Sequence, residues 1–167
     1  MTSRAITRIA LMALATLVSG LIRLPAGPLP LTLQSLAVLL TGLLLPPSGA
    51  FYAMSLHLAL KFLLGGAGIL LSHSFGFVLA FIPAACLLAW LTGRRGPSPM
   101  HLAAASLILY AVGLPYMGAV LFYLGETNRI DAWLLIKTGM LIFLPGDFLK
   151  AGLAFTMAKR IRPHLEA

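Results

Sequence analysis

Asp147 and Lys150 carry the clearest chemical signal in this chain. They stand three residues apart in Leu144-Pro145-Gly146-Asp147-Phe148-Leu149-Lys150, at the mouth of an apolar run that continues through Ala151-Gly152-Leu153-Ala154-Phe155. Pro145 suits the first helical position, where its missing N–H costs nothing. Asp147 then falls in the first turn, where the helix dipole favours a negative charge. At i,i+3 the two charges share a helix face. Ionisable side chains at the edge of a membrane span are expensive and mark substrate or ion pathways. Such a pair can capture a small polar ligand, the ammonium holding a carboxylate and the aspartate accepting N–H bonds. The competing reading is that Asp147 caps its helix and Lys150 only pairs with it. Gln34, with Thr32 just before it, heads a second apolar run and needs a polar partner there, from a neighbouring helix or from a ligand.

Other chemistries have less support. His57 and Lys61 lie at i,i+4 on one face of a third apolar run; Lys61 either snorkels to the outer interface or belongs to the site. Metal binding needs convergent His, Cys or carboxylate ligands. Of His57, His73, His101 and His164, only the first two can meet, so no metal site is expected, and no cofactor. Cys86 is the only cysteine, which rules out an intrachain disulfide and a Cys-based metal site; it reads as a small core residue. Four acidic residues in the whole chain leave few candidates for acid/base catalysis, and an enzyme is not expected. Gly65-Gly66-Ala67-Gly68 permits positive φ or close approach to a ligand, but no Walker-type phosphate loop exists in the sequence. If ATP drives this protein, another subunit hydrolyses it.

The elements that must position these residues are transmembrane. Of the 167 residues, 60% are hydrophobic and 10% charged, against about 45–50% and about 25% in soluble domains; mean hydropathy is +0.99. The Leu/Ala-rich runs lack period-2 alternation, which rejects a β-barrel. The spacing predicts an all-α integral membrane protein of one domain, residues 1–167, with six spans near 5–24, 31–45, 50–64, 77–91, 101–124 and 144–162. A span takes about 20 residues, so little is left for loops. The N-terminus imitates a signal peptide, with Arg4 and Arg8 before an apolar run; the first span is expected to be retained. Pro25-Ala26-Gly27-Pro28-Leu29-Pro30 breaks the chain outside, Pro46-Pro47-Ser48-Gly49 makes a hairpin of spans 2 and 3, and Pro115 is expected to kink span 5. Glu126, Arg129, Asp131 and Lys137 read as solvated loop charges, Trp133 as an interfacial anchor, and 132–143 as a short helix over the bundle. Ala15 with Ser19, and Thr16 with Gly20, place small residues four apart on span 1, which allows close helix contact.

The net charge of +8 would raise nucleic-acid binding in a soluble protein. Here the basic residues cluster at span ends, and no basic stripe is interleaved with aromatics, so nucleic acid is discarded and lipid is the surrounding partner. Seven basic residues (Arg4, Arg8, Arg94, Arg95, Lys159, Arg160, Arg162) fall on one side and five on or toward the other. By the positive-inside rule both termini are then cytoplasmic, and the Asp147–Lys150 pair opens outward. No internal repeat is visible, which argues against an inverted-repeat transporter.

Two stretches resemble a known family. Pro30-Leu31-Thr32-Leu33-Gln34-Ser35-Leu36-Ala37-Val38-Leu39-Leu40 resembles the P-[VI]-T-x-Q-[ST]-L-A-V-L-L signature of the BioY family. Phe143-Leu144-Pro145-Gly146-Asp147-Phe148-Leu149-Lys150-Ala151 resembles that family's F-x-P-G-D-x-x-K-A. BioY proteins are biotin-capturing S-components of energy-coupling-factor (ECF) transporters of the bacterial inner membrane. The resemblance implies the six-helix S-component fold, with an outward pocket roofed by the loops after spans 1, 3 and 5. It implies that Asp147 and Lys150 contact the ligand; Gln34 and Thr32, and Ser74, Gly76 and Phe77 of the second outer loop, are the further substrate-binding residues expected. It also implies docking through Ala15, Ser19 and Gly20 onto a transmembrane T-subunit coupled to ATPase subunits. The chain departs from the family pattern before span 4: where the family commonly has G-P-T-G-G-Y, residues 72–77 read Ser-His-Ser-Phe-Gly-Phe. His57 and Lys61 also stand where neutral residues are expected. A different small carboxylate or vitamin on the same fold is therefore the second expectation, and a scaffold or enzyme without a transported ligand the third.

Overall fold

The computed structural model describes residues 2–24, 31–127 and 131–166. The proline-rich break at 25–30 and the loop charge Arg129 lie outside them. Among the described residues the chain is almost wholly helical, with seven α-helices: α1 (Ser3–Ser19), α2 (Gln34–Leu44), α3 (Pro47–Gly65), α4 (Phe75–Arg95), α5 (Pro99–Tyr123), α6 (Ala132–Ile136) and α7 (Leu144–Glu166). A 3-10 turn (Ala67–Leu71) precedes α4, and a π-helical turn (Lys137–Leu141) follows α6.

Local chemistry sets the helix ends. Thr2 Oγ1 accepts the Ala5 N–H at the start of α1 (3.3 Å). Pro47 and Pro99 open α3 and α5, where a missing N–H is harmless, and Ser98 Oγ accepts the Met100 N–H. Gly66 and Gly96 end α3 and α4 at φ of 61° and 75°, a region side-chain-bearing residues avoid. Asp131 is not simply a solvated charge: its Oδ1 accepts from Trp133 and Leu134 N–H (2.9 and 3.3 Å) and caps α6. α5 runs unbroken through Pro115, as α4 does through Pro83.

α2 is the centre. Gln34 and every residue from Ala37 to Leu43 are buried, with α1, α4 and α7 packed around it. α3 fills the side between α1 and α4, and α5 lies against α4. Val38, Leu39 and Leu43 meet Phe75, Phe81 and Leu88 of α4 in one continuous core; a smaller cluster of Met117, Leu135 and Phe143 lies beneath α6. Apolar residues also face outward. α1 buries Ile9, Ala13 and Thr16 while Ile6, Leu11, Leu14 and Val18 are exposed, and Leu63, Leu107 and Phe148 are exposed likewise. A surface this apolar is compatible with lipid and not with water.

By length and composition, α4 and α5 can cross a membrane, and a third crossing is possible if the bent pair Ala132–Leu141 and Leu144–His164 (43°) is one span. The other three expected spans do not qualify alone. α2 has 11 residues, about 17 Å at 1.5 Å per residue, well short of a hydrocarbon core of about 30 Å. α1 has 17 residues, and His57 and Lys61 interrupt the apolar run of α3.

Residues 23–24 and 31–32 form a two-residue antiparallel ribbon, β1 (Arg23–Leu24) and β2 (Leu31–Thr32), pairing Arg23 with Thr32 and Leu24 with Leu31. Nothing in the sequence signalled it.

Close packing of α2 on α4 depends on Gly42. A Cβ there would come 2.7 Å from Leu88 Cβ and 2.9 Å from the Ala85 carbonyl oxygen, whereas nothing lies within 4 Å of one on Gly152. Gly42→Ala is expected to destabilise the bundle by about 1–3 kcal/mol and Gly152→Ala to leave it unchanged or slightly firmer. Thermal unfolding in detergent micelles reads both.

Candidate functional site

Three helices bring one polar cluster together. Asp147, in the first turn of α7, pairs through Oδ1 with Lys150 Nζ at 2.6 Å. Lys150 is 6% exposed, and its Nζ also donates to Ser35 Oγ (2.8 Å) at the start of α2 and to the Thr32 carbonyl oxygen (3.2 Å) in β2. An ammonium has three N–H donors, and all three are committed. Asp147 Oδ1 takes a longer bond from Ser35 Oγ (3.4 Å), and Oδ2 accepts from Tyr110 Oη of α5. A carboxylate has about four acceptor positions, so Asp147 keeps capacity for a further N–H. Asp147 does not act as a helix cap: its own N–H bonds to the Phe143 carbonyl oxygen (2.9 Å), and its side chain serves other elements. The cluster is neutral, with acceptors to spare and its ammonium fully occupied.

Gln34 finds the partner it needs. Its Nε2 donates to the Thr16 carbonyl oxygen (3.4 Å) near the end of α1. Its side chain occupies the space a Cβ on Gly20 would fill, 2.5 Å from Gln34 Nε2.

These groups open on a cavity of about 300 Å³, at the small end of the ligand-pocket range of about 300–1,000 Å³. Asp147, Lys150, Gln34, Thr32, Ser74 and Phe77 line it together. Phe75, Val78 and Phe81 of α4 and Leu109 of α5 give it apolar walls, and Phe143 and Gly139 contribute from beside α7. Phe77 stands edge-on to Tyr110, ring centres 6.2 Å apart, and a Cβ on Gly113 would overlap the Phe77 ring. Ser72 and Ser74 hydroxyls are 3.1 Å apart on the rim. Arg23, with Nε donating to the Gly20 carbonyl oxygen (3.2 Å), and Lys61 of α3 complete the lining.

Some expected residues go elsewhere. Gly76 does not line the cavity; it is the point where Tyr116 of α5 presses on α4, and a Cβ would strike that ring. Gly20 is buried and lines the cavity, so it does not share an outer face with Ala15, which is exposed, or Ser19, which is half-buried. The register explains it: Thr16 and Gly20 continue the inward face of Ile9 and Ala13. His57 is fully buried beside Phe81, ring centres 5.8 Å apart, and His73 pairs with Glu126 at 3.3 Å, so the two histidines do not form a shared site. Among the described residues no three His, Cys, Asp or Glu side chains gather as metal ligands. Cys86 is half-buried, its Sγ directed at the Pro47 carbonyl oxygen (3.7 Å).

Ser35, Tyr110 and Arg23 were missed. Ser35 follows Gln34 directly, and its place one step round the helix from a buried amide was a usable signal. A lone tyrosine in an apolar helix carries none.

A family model described as the BioY family matches residues 1–167. Among solved structures, the chain is similar to an S-component for biotin from an ECF-type ABC transporter, with a TM-score of 0.73 and 25% sequence identity over 98% of this chain and 95% of that one. No curated protein matches the sequence.

The ion pair and its acceptors should behave as one unit. Asp147→Asn and Lys150→Met are each expected to lower thermal stability in detergent, and the double variant to lose less than the sum. A coupling of about 0.5–3 kcal/mol from the double-mutant cycle is the expected result.

Proposed function

The chain belongs to the BioY family, and from that premise we propose that it is the substrate-specific subunit of an ECF-type transporter, capturing biotin at the outer side of the membrane. It is a membrane transport component and not an enzyme. The observation that carries the reading is the neutral, acceptor-rich cluster set into the wall of a cavity that also presents the aromatic side chains Phe75, Phe77 and Phe81. Biotin has a ureido ring with two N–H donors and a carbonyl, an apolar thioether ring and a carboxylate tail. Asp147 has acceptor capacity left for a ureido N–H, and Phe75, Phe77 and Phe81 suit the thioether ring. Thr32, Gln34 and Ser74 supply polar contacts along the wall. Lys150 supports binding by fixing Asp147, Ser35 and the Thr32 carbonyl group in place.

In this reading α1 to α5 and α7 are the six crossings of a single membrane domain, residues 1–167. α6 and its π turn lie at the outer surface. Both termini face the cytoplasm of a bacterial inner membrane, and the cavity opens outward. The sequence carries no nucleotide-binding loop, so energy comes from ATPase subunits through a transmembrane T-subunit, which meets the outer face of α1 at Ala15 and Ser19. A second reading keeps the fold and exchanges biotin for another small carboxylate or vitamin. The residues that favour it are Lys61 and the Ser72–Ser74 rim, which depart from the family pattern and line the cavity.

Titrating biotin into the purified full chain tests the first reading. Nanomolar-range affinity is expected, weakened by at least roughly tenfold in Asp147→Asn, which loses a charge-assisted acceptor. Lys150→Ala is expected to abolish tight binding. Micromolar or absent binding by the unsubstituted protein overturns it, and a competition screen of vitamins then identifies the alternative ligand.

A further inference from the structure

The chain contains four acidic residues, and their positions account for the charge inside the cavity. Asp147 is taken by Lys150. Glu126 faces His73, Asp131 caps α6, and Glu166 is the last residue of α7, a whole helix away from Asp147. No carboxylate is left for the other two cations of the cavity wall, Arg23 and Lys61. Lys61 is half-buried and has neither hydrogen bond nor counter-ion among the described residues. Among the described residues Arg23 uses only Nε, on the Gly20 carbonyl oxygen, which leaves four of its five N–H donors without a partner there. The two cations come from other elements than the Asp147 cluster: Lys61 from α3 and Arg23 from β1, against α2, α5 and α7.

We propose that Lys61, assisted by Arg23, is the anion-holding end of the cavity and selects ligands that carry a carboxylate, while the Asp147–Lys150–Ser35–Tyr110 cluster takes the neutral N–H-bearing end. This rests on the reading of the cavity as a biotin site and divides it in two. Lys150 cannot hold the carboxylate, because its donors are spent on Asp147, Ser35 and Thr32. A second anion set beside Asp147 would also be repelled. Two cations on the cavity wall with no counter-charge among the described residues make a positive field that an entering anion relieves. Lys61 lies one helix turn from His57, which is sealed in the core, so it stands on the inward side of α3 and lines the cavity.

The test compares biotin with biotinamide, which differs only in the uncharged tail, by calorimetric titration of the full chain. The unsubstituted protein is expected to prefer biotin by roughly 10- to 100-fold, the range of one charge-assisted contact. Lys61→Met, which keeps the apolar stem, is expected to bring biotin down toward biotinamide and leave biotinamide unchanged within error; Lys61→Arg is expected to keep the preference. Equal weakening of both ligands in Lys61→Met, or equal affinity of the unsubstituted protein for both, overturns the assignment and leaves the biotin reading standing. Failure of the unsubstituted protein to bind either ligand overturns both.

Discussion

A buried ammonium governs the arrangement of this molecule. Lys150 is almost sealed from solvent in a protein whose surroundings are mostly hydrocarbon, and an unpaired charge there costs several kcal/mol. It is tolerated because three acceptors from two elements besides its own helix turn reach it: a carboxylate, a hydroxyl and a backbone carbonyl. Meeting that demand sets the start of α2 beside the start of α7. Gly146 permits the approach, since a Cβ there would already press on Leu31 at 3.1 Å. Tyr110 then closes the group from α5, whose contact with α7 is otherwise slight. The cluster is thus a structural joint as well as part of the cavity wall.

The apolar part of the cavity has a separate origin. α2 is too short to shield the full depth of the bundle, and its N-terminus stops where the cavity begins. α4 continues past that level and supplies the aromatic wall, with Phe75 and Phe81 anchored in the core. The cavity is therefore the space beyond the start of a short central helix, walled by longer neighbours. A short helix is tolerated at that place because nearly every side chain on it is covered by protein.

Much of this was legible in the sequence, for identifiable reasons. Asp147 and Lys150 stood out because charges are rare in apolar runs and i,i+3 spacing puts them on one face. Gln34 stood out because a buried amide must be satisfied. Helix positions followed from apolar runs punctuated by proline and glycine, though α4 begins and ends outside the expected 77–91. The rest depended on long-range geometry. Tyr110 meets Asp147 across 37 positions, and local spacing carries no trace of such a contact. The ribbon at Arg23 and Thr32 is two residues long, too short for an alternating pattern. Gly76 was assigned to the ligand as a loop glycine, whereas it is the seat of a bulky ring on the facing helix. Gly20 faced inward because Thr16 does, a matter of helix phase that small-residue spacing alone leaves undecided.

Thr32 has two duties that cannot be separated. Its backbone pairs with Arg23 in the ribbon, and its carbonyl oxygen is one of the three supports of the Lys150 ammonium. Thr32 therefore ties the ribbon to the start of α7 through a single peptide unit. One residue is thus a pin shared by the strand pair and the buried ammonium, and a substitution that displaces its main chain is felt by both.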